Sequence, residues 1–256
     1  MLTTSYVPGS VCWIDAVTPD LEATTAFYTG LFGWTAVSLG PEHHDYRLCQ
    51  VDGRTVAGIG RLGDTTPGPL WLVYFQTPDA DAVAKAVEQA GGTVHAPPYD
   101  IPGQGRMATF ADTAGATFAV WQPGENAGLG QVTEPPSLSW VELHVAEPAA
   151  VRGFYRSVLD WTITDMPMGD MTYPVVSPAN GDESSSLAGI VELQVGEEVP
   201  HWLPYFEVTD CDATTALAQQ LGGLVRAPAT SVDGVGRFAV LSDPHGIRFA
   251  VITSAT

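Results

Sequence analysis

The side chains best suited to chemistry form two matched groups, each with a tryptophan followed two residues later by an acid. Trp13-x-Asp15 recurs as Trp140-x-Glu142, and His144 follows two residues after Glu142. Residues i and i+2 of a β-strand point to the same face, so each group presents an indole beside a carboxylate. An indole stacks on a flat ring, and a carboxylate orients a hydroxyl or an amine. Glu142 and His144, with Asp15, are therefore candidates for proton transfer.

Structural roles are open for the same residues. Asp15 and Glu142 can instead pair with Arg106 and Arg237, and their tryptophan neighbours can belong to the core. Two other tryptophans, Trp71 and Trp202, are expected in the core because they fall on the opposite face of their strands. The run His43-His44-Asp45 lies in a stretch rich in Gly, Pro and Glu, which favours a solvated turn over a metal site.

The elements that must position these groups occur four times. Phe27-Tyr28, which ends a predicted helix, returns as Phe154-Tyr155, and the helix stop Gly91-Gly92 returns as Gly222-Gly223. Alternating strand and helix patterns predict four βαβββ units and an α+β fold. We expect a first domain over 1–123, a linker over 124–136 and a second domain over 137–256.

The amino-acid composition limits the classes of partner that the chain is expected to bind. The formal net charge of −19 argues against binding to nucleic acid or to an anionic membrane, and it favours cationic small molecules. Three widely spaced cysteines suit buried thiols in a reducing compartment. With no signal peptide and no apolar run of about 18 residues, we expect a cytoplasmic protein without a membrane partner.

Paired βαβββ units with these signatures resemble the vicinal-oxygen-chelate superfamily of glyoxalases, bleomycin-resistance proteins and extradiol dioxygenases. The resemblance rests on Phe27-Tyr28 to Trp34, on Phe154-Tyr155 to Trp161, and on the turn Asp243-Pro244-His245-Gly246. The tandem form looks most like two-domain actinobacterial glyoxalase-like proteins, often labelled putative hydroxylases. It implies two tandem glyoxalase-like half-barrel domains.

In the metalloenzymes of this superfamily, His, Gln or Glu side chains on the first and last strands of each unit hold one divalent ion. Their positions project here onto eight residues, none of which ligates a cation through its side chain. These are Trp13, Leu72, Trp140 and Leu203 on first strands, and Gly58, Ala119, Gly189 and Ala250 on last strands. A slip of two residues gives only scattered candidates such as Tyr74, Glu192 or Tyr205. We therefore expect neither a metal nor another cofactor.

The resemblance makes the Trp-x-acid face the concave one, and small residues flanked by aromatic ones suit a slot for a flat ligand. The predicted ligand-binding residues are Trp13, Asp15, Tyr74, Trp121, Trp140, Glu142, His144 and Tyr205. Our leading hypothesis is a metal-independent protein that sequesters or presents an aromatic or polycyclic, in some cases cationic, metabolite in antibiotic biosynthesis or self-resistance.

Two alternatives stay open. One is a metal-free hydroxylase, isomerase or cyclase, and the other is a metalloenzyme with rearranged ligands. Two domains in one chain can mimic the usual dimer of the superfamily, so both a monomer and a homodimer are compatible with the sequence.

Overall fold

The computed structural model describes residues 2–64, 66–168, 171–179 and 185–255 of the chain. The elements of the first half are β1 (Val11–Thr18), α1 (Leu21–Phe32), β2 (Thr35–Ser38), β3 (Arg47–Val51), β4 (Arg54–Arg61), β5 (Leu70–Gln76), α2 (Ala80–Gln89), β6 (Thr93–Ile101), β7 (Gly105–Ala111) and β8 (Thr117–Pro123). Those of the second half are β9 (Ser137–Val145), α3 (Pro148–Leu159), β10 (Thr162–Met168), β11 (Met171–Ser177), β12 (Ala188–Glu192), β13 (His201–Glu207), α4 (Cys211–Gln220), β14 (Leu224–Val232), β15 (Gly236–Ser242) and β16 (Arg248–Ser254). The prediction of four βαβββ units is confirmed.

Each half of the chain contributes one sheet of eight strands. The strand order is β2-β3-β4-β1-β5-β8-β7-β6 in the first half and β10-β11-β12-β9-β13-β16-β15-β14 in the second. In every βαβββ unit the first strand runs parallel to the last, as in β1 with β4 and β9 with β12. The four middle strands of each sheet, β4-β1-β5-β8 and β12-β9-β13-β16, lie side by side and carry the predicted site residues.

Helices α1, α2 and α4 each begin after an aspartate that caps them. Asp20, Asp79 and Asp210 each accept a hydrogen bond from a backbone N–H of the first helical turn, which satisfies a donor that has no partner within the helix. α1 ends at Gly33, which adopts the left-handed conformation that glycine tolerates. Helix α3 lacks such a cap, because the side chain of Glu147 makes no hydrogen bond there.

The chain forms two compact units, and each draws segments from both halves of the sequence. Unit 1 comprises Met1–Trp13, Leu72–Gly128 and Trp140–Trp202, and unit 2 comprises Ile14–Trp71, Leu129–Ser139 and Leu203–Thr256. Helices α2 and α3 pack within unit 1, and helices α1 and α4 pack within unit 2. The proposed domain boundaries follow the sheets rather than these units, and they stay a prediction.

The repeated aromatic residues form the cores. In unit 2, Tyr28 lies edge-on to Trp71 with ring centroids 5.0 Å apart, and the indole N–H of Trp71 donates to its hydroxyl. In unit 1, Tyr155 stacks on Trp161 at 4.8 Å and also contacts Trp202. Trp71 and Trp202 are buried, so the prediction that they are core residues is confirmed.

The segment between β8 and β9, predicted as a linker, carries buried side chains. Leu129, Gln131 and Val132 are all buried, and the backbone N–H of Gly130 donates to the Thr55 carbonyl within unit 2. The segment is thus packed against the fold along part of its length.

Candidate functional site

The strand register places the two candidate acids opposite glycines. Asp15 on β1 faces Gly58 on β4, and Glu142 on β9 faces Gly189 on β12. Residues opposite each other on neighbouring strands point to the same face. The residues level with Gly58 and Gly189 thus lie two positions beyond the projected Trp13 and Trp140, and the projection of the superfamily's ligand positions stays a prediction.

The same offset occurs on the other two first strands. Tyr74 on β5 faces Ala119 on β8, and Tyr205 on β13 faces Ala250 on β16. These tyrosines lie two residues beyond the projected Leu72 and Leu203. All four neighbouring-strand pairs now combine a polar or aromatic side chain with a glycine or an alanine.

In unit 2, a tyrosine occupies the space that Gly58 leaves open. The hydroxyl of Tyr46, just before β3, donates to Oδ1 of Asp15, which is buried. A methyl group on Gly58 would overlap both that hydroxyl and the Asp15 carboxylate. Glycine is thus required there for tyrosine and acid to meet.

Unit 1 repeats this arrangement with one more partner. The hydroxyl of Tyr173 on β11 donates to Oε1 of Glu142 at 2.6 Å, and the indole N–H of Trp140 donates to that hydroxyl at 2.9 Å. A methyl group on Gly189 would overlap the Tyr173 hydroxyl. Burial and the adjacent Glu142 carboxylate raise the pKa of Tyr173 well above its usual value, so the phenol stays protonated.

His144 lies between two carboxylates in unit 1. Its Nδ1 is 2.8 Å from Oε2 of Glu197, and its Nε2 is 3.4 Å from Oε2 of Glu142. Burial lowers the pKa of His144, but hydrogen bonds with the two acids outweigh this and raise it to about 9. Burial likewise raises the pKa of Glu197, yet His144 and the Gln194 backbone N–H lower it to about 2.

A second histidine completes this group. Nε2 of His201 lies 3.5 Å from Oε1 of Glu197, and the rings of His201 and His144 are 4.9 Å apart. In the part of the chain that the structure describes, His144, Glu197 and His201 are the group of ligand-type side chains close enough to share a metal ion.

The predicted acid–base neighbours Glu142 and His144 are thus brought together, whereas the arginine alternative is not realised. Arg106 pairs with Asp81 and Asp100. Arg237 binds both carboxylate oxygens of Asp212 on α4. The two arginines therefore tie strand ends to helices, and Asp15 and Glu142 bind tyrosines instead.

The predicted aromatic residues differ in how much of their surface is accessible. Trp13, Trp121, Tyr74 and Tyr205 are buried, whereas Trp140 and Glu142 keep part of their surface exposed. The indole N–H of Trp121 donates to the Asn126 carbonyl, which holds that ring against the chain. Trp140 is thus the predicted tryptophan with the most accessible surface.

The remaining predicted histidine cluster is a turn. Pro41–His43 form a short 3₁₀ turn, and His44 follows in the left-handed conformation with both histidines exposed. His245 lies in the turn that Asp243 closes by accepting N–H groups from His245 and Ile247.

Four residues of these groups did not emerge from sequence reasoning: Tyr46, Tyr173, Glu197 and His201. The two tyrosines had a usable signal, since they recur at the same offset as Asp15 and Glu142. Glu197 had none, because it reaches His144 through the conformation of the segment between β12 and β13.

The metal that the resemblance implies does not fit the projected positions. Gly58, Gly189, Ala119 and Ala250 offer no ligand atom, and tyrosine hydroxyls occupy the space beside both glycines. An ion there would lack half of the side-chain ligands that a divalent cation needs.

Two tandem sheets of βαβββ units, each with a tyrosine hydroxyl that donates to an acid on a central strand, define the class of protein. Residues 11–120 match the family described as Glyoxalase/Bleomycin resistance protein/Dioxygenase superfamily, and residues 140–252 match the family described as Glyoxalase-like domain. The chain belongs to this superfamily, and its fold is two tandem glyoxalase-like domains of the α+β class.

Two relatives are similar along nearly the whole chain. The anthracycline biosynthesis protein DauV of Streptomyces sp. (strain C5) is 41% identical, over 97% of this chain and 94% of its own. The anthracycline biosynthesis protein DnrV of Streptomyces peucetius is 43% identical with the same coverage.

A solved structure supports the fold alone. The Mn(II)-bound glyoxalase from Novosphingobium aromaticivorans superposes with a TM-score of 0.65 and 16% identity, over 96% of this chain and 82% of its own. Among the described residues, no helix has both the length and the apolar character needed to cross a bilayer.

Proposed function

We propose that this protein binds a planar aromatic metabolite of antibiotic biosynthesis, and sequesters or presents it without a metal at the positions its superfamily uses. The ligand class is a fused-ring aromatic compound with hydroxyl or amine substituents. The site lies on the face of β9 that carries Trp140 and Glu142.

The observation that carries this proposal is the chain of hydrogen bonds from Trp140 through Tyr173 to Glu142. Gly189 leaves room for a phenol where a metal ligand would otherwise stand, so a polar pair replaces the ion. A carboxylate and a phenol accept and donate hydrogen bonds to a ligand hydroxyl or amine. The partly exposed indole of Trp140 offers a surface on which a flat ring stacks.

The relatives and the charge support the same ligand class. DauV and DnrV are both named for anthracycline biosynthesis, and anthracyclines are fused-ring aromatic compounds. The net charge of −19 attracts those that carry an amine. A cytoplasmic location is part of the proposal, because the free, buried thiols of Cys12, Cys49 and Cys211 suit a reducing compartment.

The test uses protein freed of metal with EDTA and titrated with the anthracycline doxorubicin, while tryptophan fluorescence is recorded. We expect saturable quenching, with the same Kd before and after addition of Zn²⁺. Trp140→Ala should weaken binding about 10-fold to 100-fold, because a large aromatic contact is lost. Tyr99→Ala is the matched control: this exposed aromatic residue lies on β6, and its loss should leave Kd unchanged.

Each other outcome has a defined meaning. If doxorubicin and a panel of planar polyketides give no saturable response, or if Trp140→Ala binds as tightly as the wild type, the proposal is wrong. If bound compound is converted into a product, sequestration is wrong and the hydroxylase, isomerase or cyclase alternative replaces it.

A further inference from the structure

Near the end of β9, His144 meets Glu197 from the segment between β12 and β13 and His201 from the start of β13. His144, Glu197 and His201 present ligand atoms that all lie within 4.8 Å of one another. At the offsets of the repeat, the first half has Val17 in place of His144 and Leu70 in place of His201. Neither of these first-half residues can bind a cation through its side chain, so the group is specific to the second half.

The groups around the two histidines orient their rings toward Glu197. Nδ1 of His201 lies 2.9 Å from the Val199 carbonyl, so it donates there and its Nε2 points to Glu197. Nε2 of His144 lies toward the Glu142 carboxylate, which directs Nδ1 to Glu197. A histidine that binds a metal commonly donates its other ring N–H to a carbonyl or a carboxylate in this way.

Glu197 is itself held in place. The backbone N–H of Gln194 donates to Oε2 of Glu197 at 2.8 Å, and only 4% of its side chain is exposed. His144 Nδ1 lies 2.8 Å from Oε2 of Glu197 and His201 Nε2 lies 3.5 Å from its Oε1. Both separations are close to the roughly 3.3 Å between two ligands of a tetrahedral ion at about 2.0 Å. A small shift of these side chains would therefore admit an ion.

We propose that His144 Nδ1, His201 Nε2 and the Glu197 carboxylate bind one divalent transition-metal ion, for which Zn²⁺ is the probe. Two imidazoles and one carboxylate suit zinc and neighbouring ions of the first transition row. Glu142 is a positioning residue that orients His144. His201 is the most exposed ligand, with 21% of its side chain accessible, so it gives the ion a route to solvent and a place for a water ligand.

This site differs from the metal position of the superfamily. His144 lies two residues beyond Glu142, the residue that faces Gly189, and His201 lies at the start of β13, four residues before Tyr205. The inference is also independent of the proposed binding of an aromatic ligand. It predicts one ion per chain, whereas a metal at the positions of the superfamily would give one ion per half.

The experiment is calorimetric titration of EDTA-treated full-length protein, made without a histidine tag, with Zn²⁺. We expect one Zn²⁺ per chain with a Kd below about 1 μM, and a rise in Tm on binding. His201→Gln and Glu197→Gln should each weaken binding at least about 100-fold, and Glu142→Gln about 10-fold or more. Co²⁺ in place of Zn²⁺ should give visible absorption bands of a four-coordinate ion that are lost in His201→Gln.

His43→Gln is the control, because His43 and the adjacent His44 are exposed and could take up metal without a built site. It should bind Zn²⁺ as the wild type does. The site is overturned if the wild type shows no stoichiometric binding, or if its binding is unchanged in both His201→Gln and Glu197→Gln. Melting curves of the metal-free variants distinguish a lost ligand from a failure to fold, since a folded variant keeps a cooperative transition near the wild-type Tm.

Discussion

Two glycines leave the space that the tyrosine hydroxyls occupy. Gly58 and Gly189 face the two candidate acids, and any side chain on them would occupy the space of Tyr46 or Tyr173. Each acid then accepts a hydrogen bond from a phenol. The lack of a side chain at Gly58 and Gly189 thus determines which group each acid contacts.

Gly189→Ala should destabilise the protein by about 1–3 kcal/mol, because the added methyl group overlaps the Tyr173 hydroxyl within a packed region. Urea unfolding measures the change. Gly153→Ala in α3 is the matched control, since nothing lies within 4 Å of its added methyl group and alanine favours a helix by up to about 1 kcal/mol. Equal stability of the two variants would show that Tyr173 moves aside without cost.

At the scale of single residues, the sequence predicts the carboxylates and His144 but not the tyrosines and Glu197 that contact them. Asp15, Glu142 and His144 follow from strand alternation, which needs only local pattern. Tyr173 and Glu197 reach them across the sheet or from a connecting segment, and such contacts depend on strand register and segment conformation. A constant offset between repeats is the one signal that pointed to the tyrosines.

At the scale of elements, the predicted helices and strands agree with the structure because capping and turn residues mark their ends. Asp79 begins α2 as its cap, and Gly33 ends α1. Parallel register was the part that local pattern could not supply, because it is set where β1 meets β4 and β9 meets β12. In all four pairs, the residue level with the last-strand glycine or alanine therefore lies two positions beyond the projected first-strand residue.

Asp79→Ala should cost about 0.5–2 kcal/mol of unfolding free energy, because its carboxylate accepts the Ala82 backbone N–H at the start of α2. Glu147→Ala provides the comparison, since the side chain of Glu147 makes no capping hydrogen bond to α3. We expect that second change to stay within about 0.5 kcal/mol of the wild type. Chemical denaturation of both variants checks this, and a loss at Glu147 as large as that at Asp79 would contradict it.

At the scale of the whole molecule, charge opposes folding. The chain has 29 acidic residues and 10 basic ones, and repulsion among the excess acids is relieved when the chain expands. The ion pairs described above link neighbouring elements, but they leave most of the negative charge uncompensated.

Added salt should therefore stabilise this protein. Raising NaCl from about 20 mM to about 500 mM screens the repulsion, and we expect Tm to rise by roughly 2–5 °C. Differential scanning calorimetry measures the shift, with choline chloride at equal ionic strength to exclude a specific effect of Na⁺. An unchanged or lower Tm in both salts would mean that repulsion does not limit stability.

The interleaved make-up of the two compact units constrains the order of events during synthesis. Unit 1 needs residues up to Trp202 and unit 2 needs residues up to Thr256, so neither is complete when the ribosome has made only the first half. The early strands and helices must wait for partners that emerge much later, and contacts of such long sequence separation slow folding. The nascent first half therefore exposes apolar surface for longer than two independent consecutive domains would, and chaperones have a correspondingly longer interval in which to bind it.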